Sequence, residues 1–328
     1  GALPKVRGER RAQQAPRLTA AQKAAVSAAG VERLTAITGG PGTGKTTVIA
    51  AVVQRLLAGG TAPEAVALAA PTGKAAQRLR ESLARAGLSL EVETLHRRLG
   101  YRPDDDAFSA GPDRPLTADV VIVDEASMVD LRLMERLVSA LTPTARLVLV
   151  GDAHQLPSVD AGAVFRDLVD AAPERVVRLE TNLRVAESPG GRALLELADQ
   201  IRVGEVRLPE AQTSLPPCEA EGVFLLRRSG EPRIDRRTWH AWIEAPDAER
   251  AKILTVVREG PHGSAAVNAE TAARRAARAG AHGWAVGQPV MVTRNLYARR
   301  LFNGDLGIVD DGAGPGRRAV RFPSSEGG

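Results

Sequence analysis

The segment Gly39-Gly40-Pro41-Gly42-Thr43-Gly44-Lys45-Thr46 constrains this chain more than any other. It fits the spacing G-x-x-x-x-G-K-[ST] and stands between a short β-branched run, RLTAITGG, and a helical stretch, TTVIAAVVQRLLAGG. Strand, glycine loop and helix in that order are what a phosphate-binding P-loop requires. Glycines let backbone N–H groups converge on phosphate oxygens at a helix N-terminus, where the helix dipole also favours anions. Residues 39–46 would then cradle the phosphates of a nucleoside triphosphate, with Lys45 reaching the β and γ phosphates and the Thr46 hydroxyl binding Mg2+. The alternative is a glycine turn beside a surface lysine. It is weak, because only five lysines occur in 328 residues and a chance match has odds on the order of one in a hundred.

The pattern repeats along the chain. LTAAQKAAVSAAG, with a threonine at a plausible N-cap and Gly30 as a stop, predicts a helix. AVALAAPTG predicts a strand and loop, KAAQRLRESLARAG a helix, and VVIVDEAS and RLVLVGDAHQLP two further strands. Continuously apolar strands separated by helices imply an α/β fold, with a parallel sheet covered on both faces. Past about residue 199 the character changes, and the proline-containing stretch GEVRLPEAQTSLPPCEAEG reads as a connection. The expected organisation is a tail over 1–17, a first domain over 18–205 and a second region over 206–328. That second region holds an Ala/Arg helix near 268–279 and a β-like stretch at about 284–323, where Asn303-Gly304 signals a hairpin.

Composition excludes more than it selects. The single cysteine, Cys218, rules out an internal disulfide, and no Cys/His cluster has metal-ligand spacing. No run approaches the roughly 18 apolar residues of a membrane span, so the expected compartment is the cytoplasm, with no membrane partner. The net charge of +5 comes from 44 basic and 39 acidic residues, which alone says little about a polyanionic partner.

A P-loop needs a second magnesium anchor and a group to handle attacking water. VVIVDEAS offers both at the end of an apolar strand: Asp124 for the hydrated Mg2+, and Glu125 to orient and deprotonate water. Two acids at a strand end can equally be a solvated turn, but beside a P-loop the catalytic reading prevails. The two motifs together imply an NTP hydrolase.

What the hydrolysis drives depends on the remaining motifs. GGPGTGKT, APTGKAAQRL, TLHRRLGY, VIVDEASMVD and VGDAHQLPSVDAGAV occur in the order and spacing of superfamily 1 helicases of 5′ to 3′ polarity. From about Leu18 to Val309 the chain resembles the RecD-type family, to which the alpha subunit of exodeoxyribonuclease V belongs; VVREGPHG and GQPVMVTRN…RLFNGDLGIV share that resemblance. The resemblance implies a RecA-like first motor domain, then a partial second one with a small β-barrel-like insertion. It also implies ATP-driven unwinding of DNA in recombinational repair, with single-stranded and duplex DNA and RecB-like and RecC-like subunits as partners. A stand-alone helicase of this type and a non-catalytic nucleotide-binding assembly subunit are the rival readings.

Residue by residue, the resemblance places Gln155 at the γ-phosphate and its attacking water, and Arg184 at the γ-phosphate from across an interdomain cleft. Leu183 stands where the family carries an aromatic residue, and a surface ion pair is the alternative for Arg184. Gln22 resembles the family glutamine that reads adenine; the alternative is an exposed helix residue. Thr72, Lys74, Thr94 and His96 match segments that contact single-stranded DNA, although Thr94 and His96 also suit a helix cap and a packed ring. Trp239, Trp242, Trp284, Tyr297 and Phe302 are too scattered for a stacking platform and are expected mostly in a core. The family would continue beyond GDLGIV into segments like Thr-Val-His-x-x-Gln-Gly and Tyr-Thr-x-x-Thr-Arg-Ala, and it carries a partner-binding domain ahead of the P-loop region. The expectation is therefore a piece of a longer protein, with weak hydrolysis or none on its own.

Overall fold

The computed structural model describes residues 18–182, 188–212, 221–226, 253–261, 263–279, 284, 286–293, 296, 299, 301, 305–312 and 317–322. Arg184 with its neighbour Leu183, the Asn303-Gly304 turn, Cys218, the 1–17 tail and the aromatics Trp239, Trp242, Tyr297 and Phe302 lie outside them.

Helix α1 (Ala20–Val31) starts at Thr19, whose hydroxyl accepts from Gln22 N–H while the Gln22 side chain accepts from Thr19 N–H. This reciprocal capping box satisfies two N–H groups that a helix start leaves unpaired. Gly30 does not stop the helix. It lies inside the last turn, where an added Cβ would come 3.2 Å from Arg55 Nε, and its carbonyl accepts from Arg146. Close packing explains this glycine.

After α1 the chain alternates strand and helix: β1 (Leu34–Gly39), α2 (Lys45–Ala58), β2 (Val66–Ala70), α3 (Gly73–Arg85), β3 (Val92–Thr94) and the short α4 (Leu95–Arg98). A small hairpin comes next, β4 (Tyr101–Arg102) with β5 (Ala107–Phe108). Then come β6 (Val120–Val123), α5 (Leu131–Ser139), β7 (Arg146–Gly151), α6 (Val164–Ala171), β8 (Val176–Leu179) and α7 (Pro189–Val203). Six of these strands form one sheet in the order β3-β2-β6-β7-β1-β8, and every pairing within it is parallel.

The expected α/β sheet is therefore present, with two strands more than the apolar runs had marked. β3 has three residues, two of them only partly buried, and β8 has a single buried residue, Leu179. Both are edge strands, and half-exposed edges lack a continuous apolar signature.

Alternation along the strands divides the core between the two faces. Ile37, Leu68, Ile122, Val148 and Val150 face α1, α2 and α3, where they meet Val48, Ile49, Val52, Leu79 and Leu83. Their neighbours Ala36, Ala67, Ala69, Val121, Val123, Leu147 and Leu149 face the other way, onto Leu95, Leu99, Leu133, Leu137 and Phe165. Each fully buried side chain of this size contributes about 1.5–3 kcal/mol of transfer free energy. The alanines on the second face leave room for bulkier partners such as Phe165, which is 1% exposed.

Farther along lie strands β9 (Ala211–Gln212) and β10 (Leu225–Leu226), helix α8 (Ser264–Ala279) and a three-stranded antiparallel sheet. That sheet runs β11 (Pro289–Met291), β12 (Leu306–Asp311) and β13 (Arg318–Arg321). Trp284 beside it is 58% exposed rather than in a core. No helix among the described residues is long and apolar enough to cross a membrane.

Phe165 is the largest fully buried side chain of the domain. Phe165→Ala should cost about 3–5 kcal/mol of stability, read as a lower urea midpoint with an unchanged slope.

Candidate nucleotide site

Strand register brings the motifs together. Thr38 pairs with Gly151 across β1 and β7, Val123 pairs with Leu149 across β6 and β7, and Ala70 pairs with Thr94 across β2 and β3. The 39–46 loop, the Asp124-Glu125 pair and the 152–155 turn thus all leave the sheet at its carboxyl edge. With strands ~4.8 Å apart and β7 between β1 and β6, the P-loop strand and the carboxylate strand are roughly 10 Å apart. Such a crevice at the ends of parallel strands is where open α/β sheets bind ligands.

The loop itself is closely fitted. A Cβ on Gly39 would lie 2.7 Å from both Leu179 O and Thr43 Oγ1, so no larger residue fits there. Gly42 and Gly44 have φ of 78° and 83°, in the left-handed region that favours glycine. Thr43 Oγ1 donates to Gly40 O at 2.8 Å. Lys45 Nζ arches over the loop to donate to Gly39 O at 2.7 Å and Gly40 O at 3.1 Å. Pro41 O accepts from Asn182 Nδ2 at 2.5 Å, a contact from beyond β8 that the sequence did not suggest. Thr46 occupies the first turn of α2 and is partly buried.

Gln22 supports the loop from behind. It is 2% exposed, which excludes the exposed-helix alternative. Its Oε1 accepts from Thr19 N–H at 2.9 Å and its Nε2 donates to Thr43 O at 3.0 Å. The side chain thereby ties the start of α1 to the phosphate loop.

Asp124 is 8% exposed at the end of β6. Its backbone N–H donates to Ala69 O at 2.9 Å, and its Oδ1 accepts from Glu125 N–H at 2.9 Å. Burial, reinforced by the neighbouring Glu125 charge, raises its pKa from 3.8 to about 6, although that hydrogen bond and Lys45 oppose the rise. Glu125 has φ of 52°, a conformation that costs a non-glycine residue of order 1–3 kcal/mol and is often kept at functional sites. Its Oε2 is buried without a hydrogen-bond partner, as is Ser127 Oγ two residues on. A buried carboxylate oxygen without a donor fits a site built for a cation or a water molecule.

The turn after β7 is pinned on several sides. Ala153 N–H donates to Thr38 Oγ1 at 3.1 Å, while His154 N–H donates to Asp152 Oδ1 at 3.1 Å and Gln155 N–H to Asp152 O at 3.1 Å. Gln155 itself is exposed at the tip.

The DNA-contact candidates gather at the β2–β3 edge of the sheet. Thr72 caps α3, accepting from Ala75 N–H at 3.2 Å, and Lys74 lies partly buried in its first turn. Thr94 caps α4, accepting from Arg97 N–H at 3.3 Å. His96 packs against Tyr101 and Phe108, with ring centroids 5.2 and 6.0 Å away. Desolvation lowers its pKa despite the opposing charge of Asp130. Thr94 is thus a helix cap, while His96 rests one side of its ring on these neighbours and remains exposed. Arg97 and Arg98 both pair with Glu93, at 2.9 and 3.0 Å.

A glycine loop between β1 and α2, with carboxylates ending β6 two strands away, defines a RecA-like P-loop domain of the nucleotide-binding class. Residues 22–161 match the family described as AAA domain. Over 88% of its length the chain is 39% identical to the RecBCD enzyme subunit RecD of Mycolicibacterium smegmatis, covering 56% of that protein. It is 34% identical to the ATP-dependent RecD2 DNA helicase of Deinococcus radiodurans, over 84% of this chain and 36% of that one. The crystal structure of Pif1 helicase from Candida albicans shares the fold, with a TM-score of 0.50 and 18% identity over 90% of this chain and 69% of that one. The chain is thus similar to RecBCD enzyme subunits RecD, and spans about half the length of those that match most of it.

The Asp124 carboxyl titrates near 6 in the folded chain and near 3.8 when unfolded. Its ionised form therefore costs the folded state above pH 6, and that cost disappears as pH falls towards 4. Without divalent cations, Asp124→Asn should stabilise the chain at pH 7.5 by up to about 3 kcal/mol. The gain should vanish near pH 4, as monitored by urea denaturation at each pH.

Proposed function

We propose that this chain is the motor region of an ATP-dependent 5′ to 3′ DNA helicase, the RecD-like subunit of an exodeoxyribonuclease V complex acting in recombinational repair. The observation that carries the reading is the shared sheet edge of Lys45, Asp124, Glu125 and Gln155, in a homologue of RecD. Residues 18–205 form the first motor domain, and residues 206–328 contribute part of a second with a β insertion at about 284–323. Polarity is taken from the family.

In this reading the backbone N–H groups of residues 39–46 and the Lys45 ammonium hold the β and γ phosphates, offsetting charge as it develops. Glu125 positions a water molecule and takes its proton as the water oxygen bonds to the γ-phosphorus and the bond to the bridging oxygen breaks. Gln155 senses the γ-phosphate and its water, and Arg184 completes the site at the γ-phosphate. Thr46 and Asp124 would hold Mg2+, which supplies charge neutralisation on the phosphates. Among the described residues no group of three acids, histidines or cysteines forms a protein-only cage. That donor set suits a hydrated ion shared with phosphate. Gln22 matches the family glutamine that reads adenine, and in this reading it takes that role.

Thr72, Lys74, Thr94 and His96 line the DNA path, where hydroxyl and basic groups suit sequence-independent phosphate contact. ATP binding closes the two motor domains and hydrolysis reopens them, so that alternating grips advance the protein along single-stranded DNA. RecB-like and RecC-like subunits are the partners, and the cytoplasm is the compartment this role requires.

Hydrolysis of ATP by the intact protein, with and without single-stranded DNA, tests the reading. DNA should stimulate turnover, Lys45→Ala should abolish it, and Glu125→Gln should lower kcat at least about a hundredfold with nucleotide binding retained. Unchanged turnover in Lys45→Ala would refute the site.

A further inference from the structure

Arg166 is a residue to which neither the motif order nor the hydrolytic chemistry gives a role. It stands on α6, where the residue before it, Phe165, is 1% exposed and packs where Gly151 has no side chain. A Cβ on Gly151 would lie 2.9 Å from Phe165 Cε1. The start of α6 is thus locked to the end of β7. From that anchor Arg166 reaches back over the intervening loop. Its Nε donates to Ala153 O at 2.9 Å and its Nη2 to Gln155 O at 3.0 Å.

These bonds complete the restraint of the turn. Ala153 is held at its N–H by Thr38 Oγ1 and at its carbonyl by Arg166. Gln155 is held at its N–H by Asp152 O and at its carbonyl by Arg166. A planar guanidinium presents its donors in a rigid fork and so sets the orientation of the two carbonyls, whereas an ammonium on a flexible stem does not. The loop between β7 and α6 spans residues 152–163; its far arm is held by Leu131 N–H donating to Ala161 O and by Ser158 Oγ donating to Gly162 O, while its tip from His154 to Pro157 is exposed. Leu156, next to Gln155, is 88% exposed and gives no packing anchor.

From this geometry we infer that Arg166 is a positioning residue for Gln155. It fixes the backbone of the turn so that the Gln155 amide meets the γ-phosphate and its attacking water at one place. Thr38, one residue ahead of Gly39, ties the same turn to the phosphate loop. The inference rests on the proposed nucleotide reading of the site.

Kinetics of ATP hydrolysis on single-stranded DNA by the intact protein test it, using Arg166→Met, Arg166→Lys, Gln155→Ala and the Arg166→Met, Gln155→Ala double variant. Displacing a catalytic group by about 1 Å can cost up to about a hundredfold in rate. Arg166→Met should therefore lower kcat by about tenfold or more, with KM for ATP changed less than about twofold. Arg166→Lys should recover part of the loss. The double variant should be no slower than Gln155→Ala alone, because the two residues act as one unit. An unchanged kcat, a matching rise in KM, or losses that multiply in the double variant would each overturn the assignment. Should Arg166→Met fail to fold, Arg166→Lys carries the cycle, and a kcat equal to the parent's would again overturn it. Failure of the underlying reading shows separately, as absent parental turnover or full turnover in Lys45→Ala.

Discussion

β1 is paired in parallel with β7 on one side and with β8 on the other, and that double pairing governs the rest of the site. It leaves no room for a side chain at Gly39, where Leu179 O and Thr43 Oγ1 occupy the space a Cβ would need. The same pairing sets Thr38 opposite Gly151, so the phosphate loop and the Gln155 turn begin at one level. A parallel sheet makes this possible because every strand ends at the same edge, and the carboxylates of β6 arrive there too.

Stability is given up where chemistry is proposed. The interior on both sheet faces is largely apolar, although Thr35 Oγ1 within β1 is buried without a partner, and its edge holds a nearly buried carboxyl whose pKa is raised, a left-handed glutamate and two further buried oxygens without partners. Natural sequences keep such local conflicts where function needs them. Hydrogen bonds hold the neighbouring loops in place: Gln22 behind the phosphate loop, Thr38 between loop and turn, and Arg166 over the turn.

The parts legible in the sequence are those written in consecutive residues. GGPGTGKT, VVIVDEAS and GDAHQLP each mark a strand end and the functional loop attached to it, and the central sheet is continuous apolar sequence. The hidden parts depend on contacts between distant segments. Thr38 and Ala153 are 115 residues apart, and Asn182 and Pro41 are 141 apart; no local pattern marks either pair. Gly30 resembles a helix stop because glycine usually signals an end, whereas here it makes room for Arg55. Gln22 matches a family position, but its burial and its bond to Thr43 depend on how α1 lies on the loop. The edge strands β3 and β8 carry no apolar signature because much of each faces outward.

The proposed motor requires that the nucleotide site and the proposed DNA path share free energy, so each ligand must change the affinity for the other by the same factor. The direct measurement is the affinity of the intact protein for a labelled single-stranded oligonucleotide, titrated with and without a non-hydrolysable ATP analogue and Mg2+. The account predicts that the analogue shifts DNA affinity by about fivefold or more, with the reciprocal shift in analogue affinity when DNA is present. Identical DNA affinity in the two titrations, with the analogue bound, would contradict it.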